Sequence, residues 1–230
     1  GAVRDVLIVG GGIAGMTLAM GLSRHGIKSE IVELSTDWTV IGVGISMQGP
    51  ALRALRTVGV LDKIIDSGFG YSHFKACDVD GNVTGQVDLP SLNGPNYPAT
   101  MGVMRQALHE VLKVGVTEAQ APVRLGISVV ACHQGGDGIR VEFTDGTEGN
   151  YDLVVGADGA NSKMRKLLFG DAREGRYTGQ AVWRATVDRP VSNMAKRVFF
   201  SPTTVTKASR TSSSPMPTCW RRARPAGRRT

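Results

Sequence analysis

Asp5-Val-Leu-Ile-Val9, followed by Gly10-Gly-Gly12-Ile-Ala-Gly15, is the stretch of sequence that decides the fold. Its apolar run is typical of a buried parallel strand, which the glycines then interrupt. Apolar residues recur at near-helical spacing over Ile13–Arg24, and Gly26 is a typical residue at a helix C-terminus. Ser29–Glu33 predicts a second strand. Strand, glycine turn, helix and strand within about 30 residues predict a βαβ unit.

The glycines fit the pattern Gly-x-Gly-x-x-Gly. Gly10 makes the tight turn, Gly12 lets a pyrophosphate approach the backbone, and Gly15 lets helix and strand pack closely. Free N–H groups and the helix dipole attract the anion, the dipole by about 0.3–1 kcal/mol. Glu33, at the end of the next strand, places a carboxylate where it can accept both hydroxyls of an adenosine ribose. The pattern predicts a dinucleotide site; a glycine turn without a ligand is the alternative.

A second motif, Asp152-Leu-Val-Val-Gly-Ala-Asp158-Gly-Ala-Asn-Ser162-Lys-Met-Arg165, follows much later. Here an apolar strand leads into Asp158-Gly159 and then into a helix start rich in polar residues. This order brings a carboxylate and a second set of backbone amides toward the same cofactor. The alternative is a strand and a turn followed by an Asn or Ser helix cap.

The charge is divided unevenly along the chain. The 230 residues carry 27 Lys and Arg against 20 Asp and Glu, a formal charge of +7. Residues 189–230 hold 10 of the basic groups and no acid, which leaves 17 basic against 20 acidic groups in residues 1–188. The body of the chain is therefore mildly acidic, so we expect no nucleic-acid partner.

The cysteines lack the spacing of a disulfide framework or a metal site. Cys77, Cys132 and Cys219 are odd in number and form no Cys-x-x-Cys pair, so we expect reduced thiols, a cytoplasmic location and no metal. The apolar stretch 6–22 contains five glycines, and a strand followed by a helix explains it better than a signal peptide or a membrane span. We therefore expect no membrane partner.

Periodicity predicts further elements along the chain. Helices are expected at about 50–58, 61–67 and 103–114. Strands are expected at about 73–79 and 83–87 around an Asp80-Gly81 turn, and at 127–132, 139–143, 151–155, 180–187 and 197–200. After Pro202 the pattern stops: residues 203–230 contain six arginines, no acid and clustered Ser and Thr. This composition predicts a disordered tail, and the alternative is a segment translated out of frame.

The two motifs together resemble the single-component FAD-dependent aromatic hydroxylases. The chain is most similar to the salicylate hydroxylase-like branch, over about residues 4–202. Three further segments carry this likeness: Gly42-Val-Gly-Ile-Ser46 with Pro50-Ala-Leu, Arg105-Gln-Ala-Leu108, and Tyr177-Thr-Gly-Gln-Ala-Val-Trp183-Arg184.

The resemblance implies an α/β fold, in which a Rossmann-like FAD-binding domain (1–70 and 101–172) is interleaved with strands of a partial β-sheet substrate domain (71–100 and 173–202). It implies hydroxylation of an aromatic or similar small molecule, with FAD as cofactor, NADH or NADPH as reductant, and O2. Two alternatives stay open: another flavoprotein of the superfamily, such as a reductase or halogenase, or a non-catalytic FAD-binding remnant.

The resemblance also implies residue roles. Glu33 holds the adenosine ribose, Ser46 and Arg105 contact the inner part of FAD, and Val129 touches the adenine through its backbone. Asp158 serves both flavin and nicotinamide. The residues implied along the pyrophosphate are Gly10, Gly12, Ala14 and Gly15.

The chain departs from the family after Pro202. A third motif, a Gly-Asp pair that opens a late helix beside the flavin, is absent, so we expect a truncated chain with impaired catalysis. Trp183 and Arg184 are candidates for lining the active site, although a tryptophan in a strand is more often a core residue. No side chain stands out as an acid or base, and no catalytic residue is predicted.

Overall fold

The computed structural model describes residues 2–78 and 82–170, and the backbone of residues 198–200. These residues form two compact units. The first comprises residues 2–69 and 101–170, and the second comprises 70–78, 82–100 and 198–200. The predicted Asp80-Gly81 turn, the strand at 180–187 with Trp183 and Arg184, and the tail lie outside the described residues.

Thirteen strands and five helices are described. The helices are α1 (Ile13–Ser23), α2 (Gly49–Thr57), α3 (Leu61–Ile65), α4 (Arg105–Glu118) and α5 (Lys163–Phe169). The strands are β1 (Asp5–Val9), β2 (Lys28–Glu33), β3 (Gly44–Gln48), β4 (Gly68–Tyr71), β5 (His73–Cys77), β6 (Val83–Asp88), β7 (Thr100–Met104), β8 (Val123–Leu125), β9 (Val129–Gly135), β10 (Gly138–Phe143), β11 (Glu148–Tyr151), β12 (Leu153–Gly156) and β13 (Val198–Phe200).

A four-stranded parallel sheet in the order β12-β1-β2-β8 is the centre of the first unit. The register pairs Val9 with Val32 on one side and with Gly156 on the other. β1, β2 and β12 therefore end at the same edge of the sheet, where the glycine turn, the residues after β2 and the residues after β12 lie together. The predicted α/β fold with its βαβ unit is confirmed.

Alternate side chains of β1 face opposite sides of the sheet, as the pleat requires. Leu7 and Val9 join a buried cluster with Val141 and Phe143 of the antiparallel sheet β11-β10-β9. Ile8 faces the other way, where α1 lies against the sheet at Gly15. The central strands are therefore covered on both faces, which explains their continuous apolar sequence.

Several predicted boundaries were wrong, and two of the differences have a clear physical reason. The helix expected from residue 103 begins at Arg105, because the extended backbone of Met104 still belongs to β7. The single strand expected at 151–155 is two strands, β11 and β12, divided at Asp152. The carboxylate of Asp152 accepts the backbone N–H groups of Arg4 and Asp5, at 2.7 and 3.0 Å, so the chain leaves one sheet and joins another there.

The remaining strands form two smaller sheets. One has the order β3-β7-β4. In the other, in the second unit, β5 pairs antiparallel with β6 and parallel with β13. None of the described helices is both long and apolar enough to cross a membrane.

Candidate functional site

The glycine turn joins β1 to α1 within three residues. Gly10 adopts φ +116°, and its N–H donates to the carbonyl of Val32 at 2.8 Å. Gly12 is the N-cap of α1, and its carbonyl accepts the N–H of Met16 at 3.0 Å. Gly15 lies under the turn, where a Cβ would overlap the carbonyl oxygen of Gly10. The structure thus places the first and third glycines of the motif in the packing roles that the sequence predicts.

The N-terminus of α1 has no side-chain cap and no acidic residue in its first turn. Its first N–H groups therefore lack acceptors within the helix. A Cβ added to Gly12 would meet no atom within 4 Å, so there is open space beside the helix end. An uncapped helix N-terminus facing open space fits an anionic group such as the diphosphate of a dinucleotide.

Glu33 ends β2 beside this turn. One carboxylate oxygen accepts the N–H of Gly11 at 2.7 Å, and the other accepts the N–H of Ser35 at 2.8 Å. These two bonds fix the carboxylate at the edge of the sheet. Each oxygen retains a lone pair, so the group can still accept hydroxyls of a ribose.

The loop after β12 brings Asp158 to the same edge, since the N–H of Ala157 donates to the carbonyl of Val9 at 2.7 Å. The Asp158 carboxylate accepts the hydroxyl of Ser162 at 2.5 Å and the N–H of Met164 at 3.0 Å. Ser162 is the N-cap of α5 and accepts the N–H of Arg165. The serine helix cap, which the sequence left as the alternative for this motif, is therefore present.

Two opposing effects act on the ionisation of Asp158. Partial burial raises its pKa, but the hydrogen bonds from the Ser162 hydroxyl and from the backbone of α5 outweigh this and hold the pKa below its ordinary value. Asp158 is thus an anion bound to its own helix. Its predicted role toward flavin and nicotinamide stays a prediction.

A pocket of about 460 Å³ joins these features. It brings together four of the predicted site residues: Gly10, Gly12, Glu33 and Asp158. The other lining residues are Val9, Val32, Leu34, Ile127, Ser128, Ala157, Gly159, Asn161 and Lys163. The two motifs, far apart in sequence, therefore line one cavity.

Five predicted residues lie outside the lining of this pocket. Ala14 and Gly15 are in the first turn of α1, and their cofactor roles stay predictions; the other three belong to other elements. The side chain of Val129 is buried in the core, and the preceding residues Ile127 and Ser128 line the pocket instead. Ser46 lines a separate cavity of about 390 Å³ between β3, β4 and β7. Arg105 begins α4 against Gly42, where a Cβ would lie 3.1 Å from its Cδ. The cofactor roles of all three stay predictions.

Sequence reasoning missed several residues at the site. Trp38 donates its indole N–H to the carbonyl of Gly11 at 2.8 Å, and Lys163 and Asn161 line the pocket. Trp38 carried no signal, because it lies in an irregular segment after β2 and belongs to no motif. Lys163 and Asn161 lay within the quoted second motif but were read only as helix-start residues. No cluster of three or more metal-ligating side chains occurs in the described part of the chain.

Comparison with known proteins identifies the family of this chain. The profile of a family described as an FAD binding domain matches residues 4–223. This chain belongs to that family. The predicted cofactor, FAD, and the predicted likeness to FAD-dependent hydroxylases are confirmed by this match and by the relatives.

Several curated relatives of this chain have names of monooxygenases or hydroxylases. The chain is 35% identical to 2-heptyl-3-hydroxy-4(1H)-quinolone synthase of Pseudomonas aeruginosa over 182 residues. This alignment covers 79% of this chain and 46% of the relative. It is 32% identical over 193 residues to 3-hydroxybenzoate 6-hydroxylase of Klebsiella oxytoca, covering 81% and 47%. The chain spans about half the length of the curated relatives it matches.

Solved structures show the same fold. 2-Methyl-3-hydroxypyridine-5-carboxylic acid oxygenase is 26% identical, with a TM-score of 0.62 over 73% of this chain and 43% of that chain. The flavin-dependent monooxygenase PieE, in complex with FAD and substrate, is 25% identical, with a TM-score of 0.60 over 72% and 32%. The predicted Rossmann-like architecture of the FAD-binding domain is thereby confirmed.

Proposed function

We propose that the chain binds FAD in the pocket between its two motifs, and that the whole protein is a monooxygenase that hydroxylates an aromatic or similar ring with NAD(P)H and O2. One observation carries the binding site: the uncapped N-terminus of α1 faces open space at Gly12, beside the fixed carboxylate of Glu33. A diphosphate requires hydrogen-bond donors, and a ribose requires an acceptor for its hydroxyls. The free N–H groups of α1 supply the donors, and the carboxylate of Glu33 supplies the acceptor.

The proposed assignment follows the geometry of the pocket. The N–H group of Gly12, which lines the pocket, and that of Ala14, in the first turn of α1, bind the diphosphate, and Glu33 accepts the ribose hydroxyls. The adenine lies toward Ile127 and Ser128, which line the pocket beyond Glu33. Of the residues outside this pocket, Val129 contacts the adenine through its backbone, and Ser46 and Arg105 contact the inner part of FAD.

FAD supplies the redox chemistry when bound, and the protein binds and orients it. Within the described residues, backbone hydrogen bonds hold the two loops that line the pocket in a fixed geometry. The glycine turn is bonded to β2 through the Gly10 N–H, and the Asp158 loop is bonded to β1 through the Ala157 N–H. Asp158 stays ionised at neutral pH because α5 binds its carboxylate, so it places a fixed negative charge beside Gly159 in the pocket.

The proposed substrate class rests on the relatives. The printed names of several include hydroxylases or monooxygenases of ring compounds, among them 3-hydroxybenzoate, 3-amino-4-hydroxybenzoate and urate. We propose a small ring compound for this protein on that basis. NAD(P)H is a cytoplasmic reductant, and Cys132 is a free thiol, so we propose the cytoplasm as its location.

Titration of the purified chain with FAD tests the binding site. Glu33→Gln should weaken FAD binding by about tenfold or more, because the amide replaces an acceptor oxygen with a donor that faces a backbone N–H. Glu118→Gln is the matched control, since Glu118 pairs with Lys63 on the surface at 2.9 Å and should leave the affinity unchanged. An absence of flavin binding by the wild-type chain would refute the proposal.

Product analysis tests the reaction. The proposal predicts ring-stimulated NAD(P)H oxidation with O2 uptake and a product that gains one oxygen atom from O2. Reduction of a substrate without oxygen insertion would indicate a reductase, and a halide-dependent product would indicate a halogenase. Either of these two products would contradict the monooxygenase assignment. Flavin binding without any turnover by this chain would agree with the impaired catalysis expected of it and with a binding remnant.

A further inference from the structure

Three consecutive glycines give the turn at the cofactor pocket an intrinsically flexible backbone. Gly10, Gly11 and Gly12 have no Cβ, so their backbone dihedrals are restricted less than those of any other residue. An anion site, however, requires N–H groups that already point at the ligand. The turn must therefore be held by groups outside it.

Two side chains hold successive peptide groups of this turn. Glu33 accepts the N–H of Gly11 at 2.7 Å, which fixes the peptide group between Gly10 and Gly11. Trp38 donates its indole N–H to the carbonyl of Gly11 at 2.8 Å, which fixes the peptide group between Gly11 and Gly12.

The second of these bonds acts on the pocket through peptide geometry. The carbonyl of Gly11 and the N–H of Gly12 belong to one planar trans unit and point in opposite directions. Holding the carbonyl against Trp38 therefore directs the N–H of Gly12 to the opposite side. Gly12 itself lines the pocket, and its own carbonyl is fixed by Met16.

The ring of Trp38 is in turn supported by α4. His109, only 4% exposed, meets it edge to face with ring centroids 6.0 Å apart, and the ammonium of Lys113 lies 5.8 Å from the ring centroid. Burial, followed by the charge of Lys113, lowers the pKa of His109, so this ring is neutral at pH 7. Trp38 is therefore held by an imidazole ring and an ammonium group of α4, and its indole N–H is directed at the turn.

We propose that Trp38 is a positioning residue for the cofactor diphosphate: its bond to the Gly11 carbonyl orients the Gly12 N–H into the pocket. This role rests on the proposed function of the pocket as the FAD site. Trp38 acts through the backbone and needs no contact with the ligand.

Comparison of ADP with adenosine isolates this role, because only ADP carries the diphosphate. Trp38→Phe keeps an aromatic ring beside His109 and removes the N–H donor. It should weaken ADP binding on the order of three- to tenfold, measured by calorimetry, and leave adenosine binding nearly unchanged. A merely structural role would lower the melting temperature without changing the ratio of the two affinities.

Tyr151→Phe is the matched control, since it also removes one donor from an aromatic ring of the same unit. The Tyr151 hydroxyl donates to Glu30 at 2.7 Å, away from the pocket lining. This variant should keep the wild-type ratio of ADP to adenosine affinity. Equal ratios in Trp38→Phe and wild type would overturn the proposal, whereas failure of the wild-type chain to bind ADP would refute the cofactor site itself.

Proton exchange of the indole N–H gives a second test that needs no variant at position 38. Its NMR signal, assigned with the help of Trp183→Phe and Trp220→Phe, should exchange slowly and keep its hydrogen-bonded shift when ADP is added. Rapid exchange, like that of a free indole, would show that the bond to Gly11 does not persist and would overturn the proposal.

Discussion

Gly10→Ala is expected to lower the free energy of unfolding by about 2–5 kcal/mol. The new Cβ would lie 2.5 Å from the carbonyl oxygen of Ala157, 2.6 Å from its carbonyl carbon and 2.8 Å from the backbone nitrogen of Asp158. These are backbone atoms, and the N–H of Ala157 is bonded to Val9, so none can rotate away. The forced shift costs about 1–3 kcal/mol, and a φ of +116° adds about 1–2 kcal/mol for a residue with a Cβ.

Gly12→Ala is the matched variant, because it adds the same methyl group two residues later. Gly12 has φ −79°, and a Cβ there would meet no atom within 4 Å. Its stability should stay within about 1 kcal/mol of wild type. Its FAD affinity should fall on the order of tenfold, because the methyl group enters space that the cofactor needs.

Urea unfolding and FAD titration of both variants check this pair of expectations. Gly10→Ala should unfold at a clearly lower urea concentration, whereas Gly12→Ala should unfold near the wild-type midpoint and bind FAD poorly. A wild-type midpoint for Gly10→Ala would show that the glycine turn and the Asp158 loop do not pack as described. Equal FAD affinity in Gly12→Ala and wild type would place the cofactor elsewhere.

Other substitutions test the frame around the pocket. Arg124→Met should lower the free energy of unfolding by about 1–2 kcal/mol in urea, because it leaves the partly buried carboxylate of Glu30 without the cation that lies 3.5 Å away; an unchanged midpoint would show that this ion pair contributes nothing. Tyr151→Phe should lower the free energy of unfolding by less, about 0.5–1.5 kcal/mol, because Glu30 keeps its ion pair with Arg124. Because the pKa of Asp158 is lowered in the folded state, its ionised form stabilises the fold above about pH 4, and this stabilisation is lost as the pH falls further. The difference in urea midpoint between wild type and Asp158→Asn should therefore shrink in acid. A difference independent of pH would contradict the assigned hydrogen bonds.

The sequence predicted the parts of this fold that depend on local pattern. The continuous apolar run of β1, the glycines and the position of Glu33 each follow from backbone sterics and strand burial, and all lie within the first 33 residues. The strand β8, of three residues, carries too short a pattern to be seen. Asp152 was placed inside a motif, but its division of β11 from β12 depends on N–H groups at the start of the chain.

The site shows the same limit more sharply. Trp38 reaches Gly11 from an irregular segment after β2, and Ser128 lines the pocket from the residues between β8 and β9. Neither segment has an apolar periodicity from which its place at the pocket could be predicted. Contacts of this kind arise only when segments distant in sequence have been packed together.

The order of strands in the parallel sheet has a consequence for how the protein is made. β1 leaves the ribosome before both of its neighbours, β2 and β12, and β12 is 147 residues away at the pair Val6 and Leu153. Pairing so distant forms slowly and late, because the intervening chain must be closed into a loop first. A nascent chain can fold the glycine turn long before Asp158 reaches the pocket, so the complete pocket cannot form until β12 and the residues after it have been synthesised.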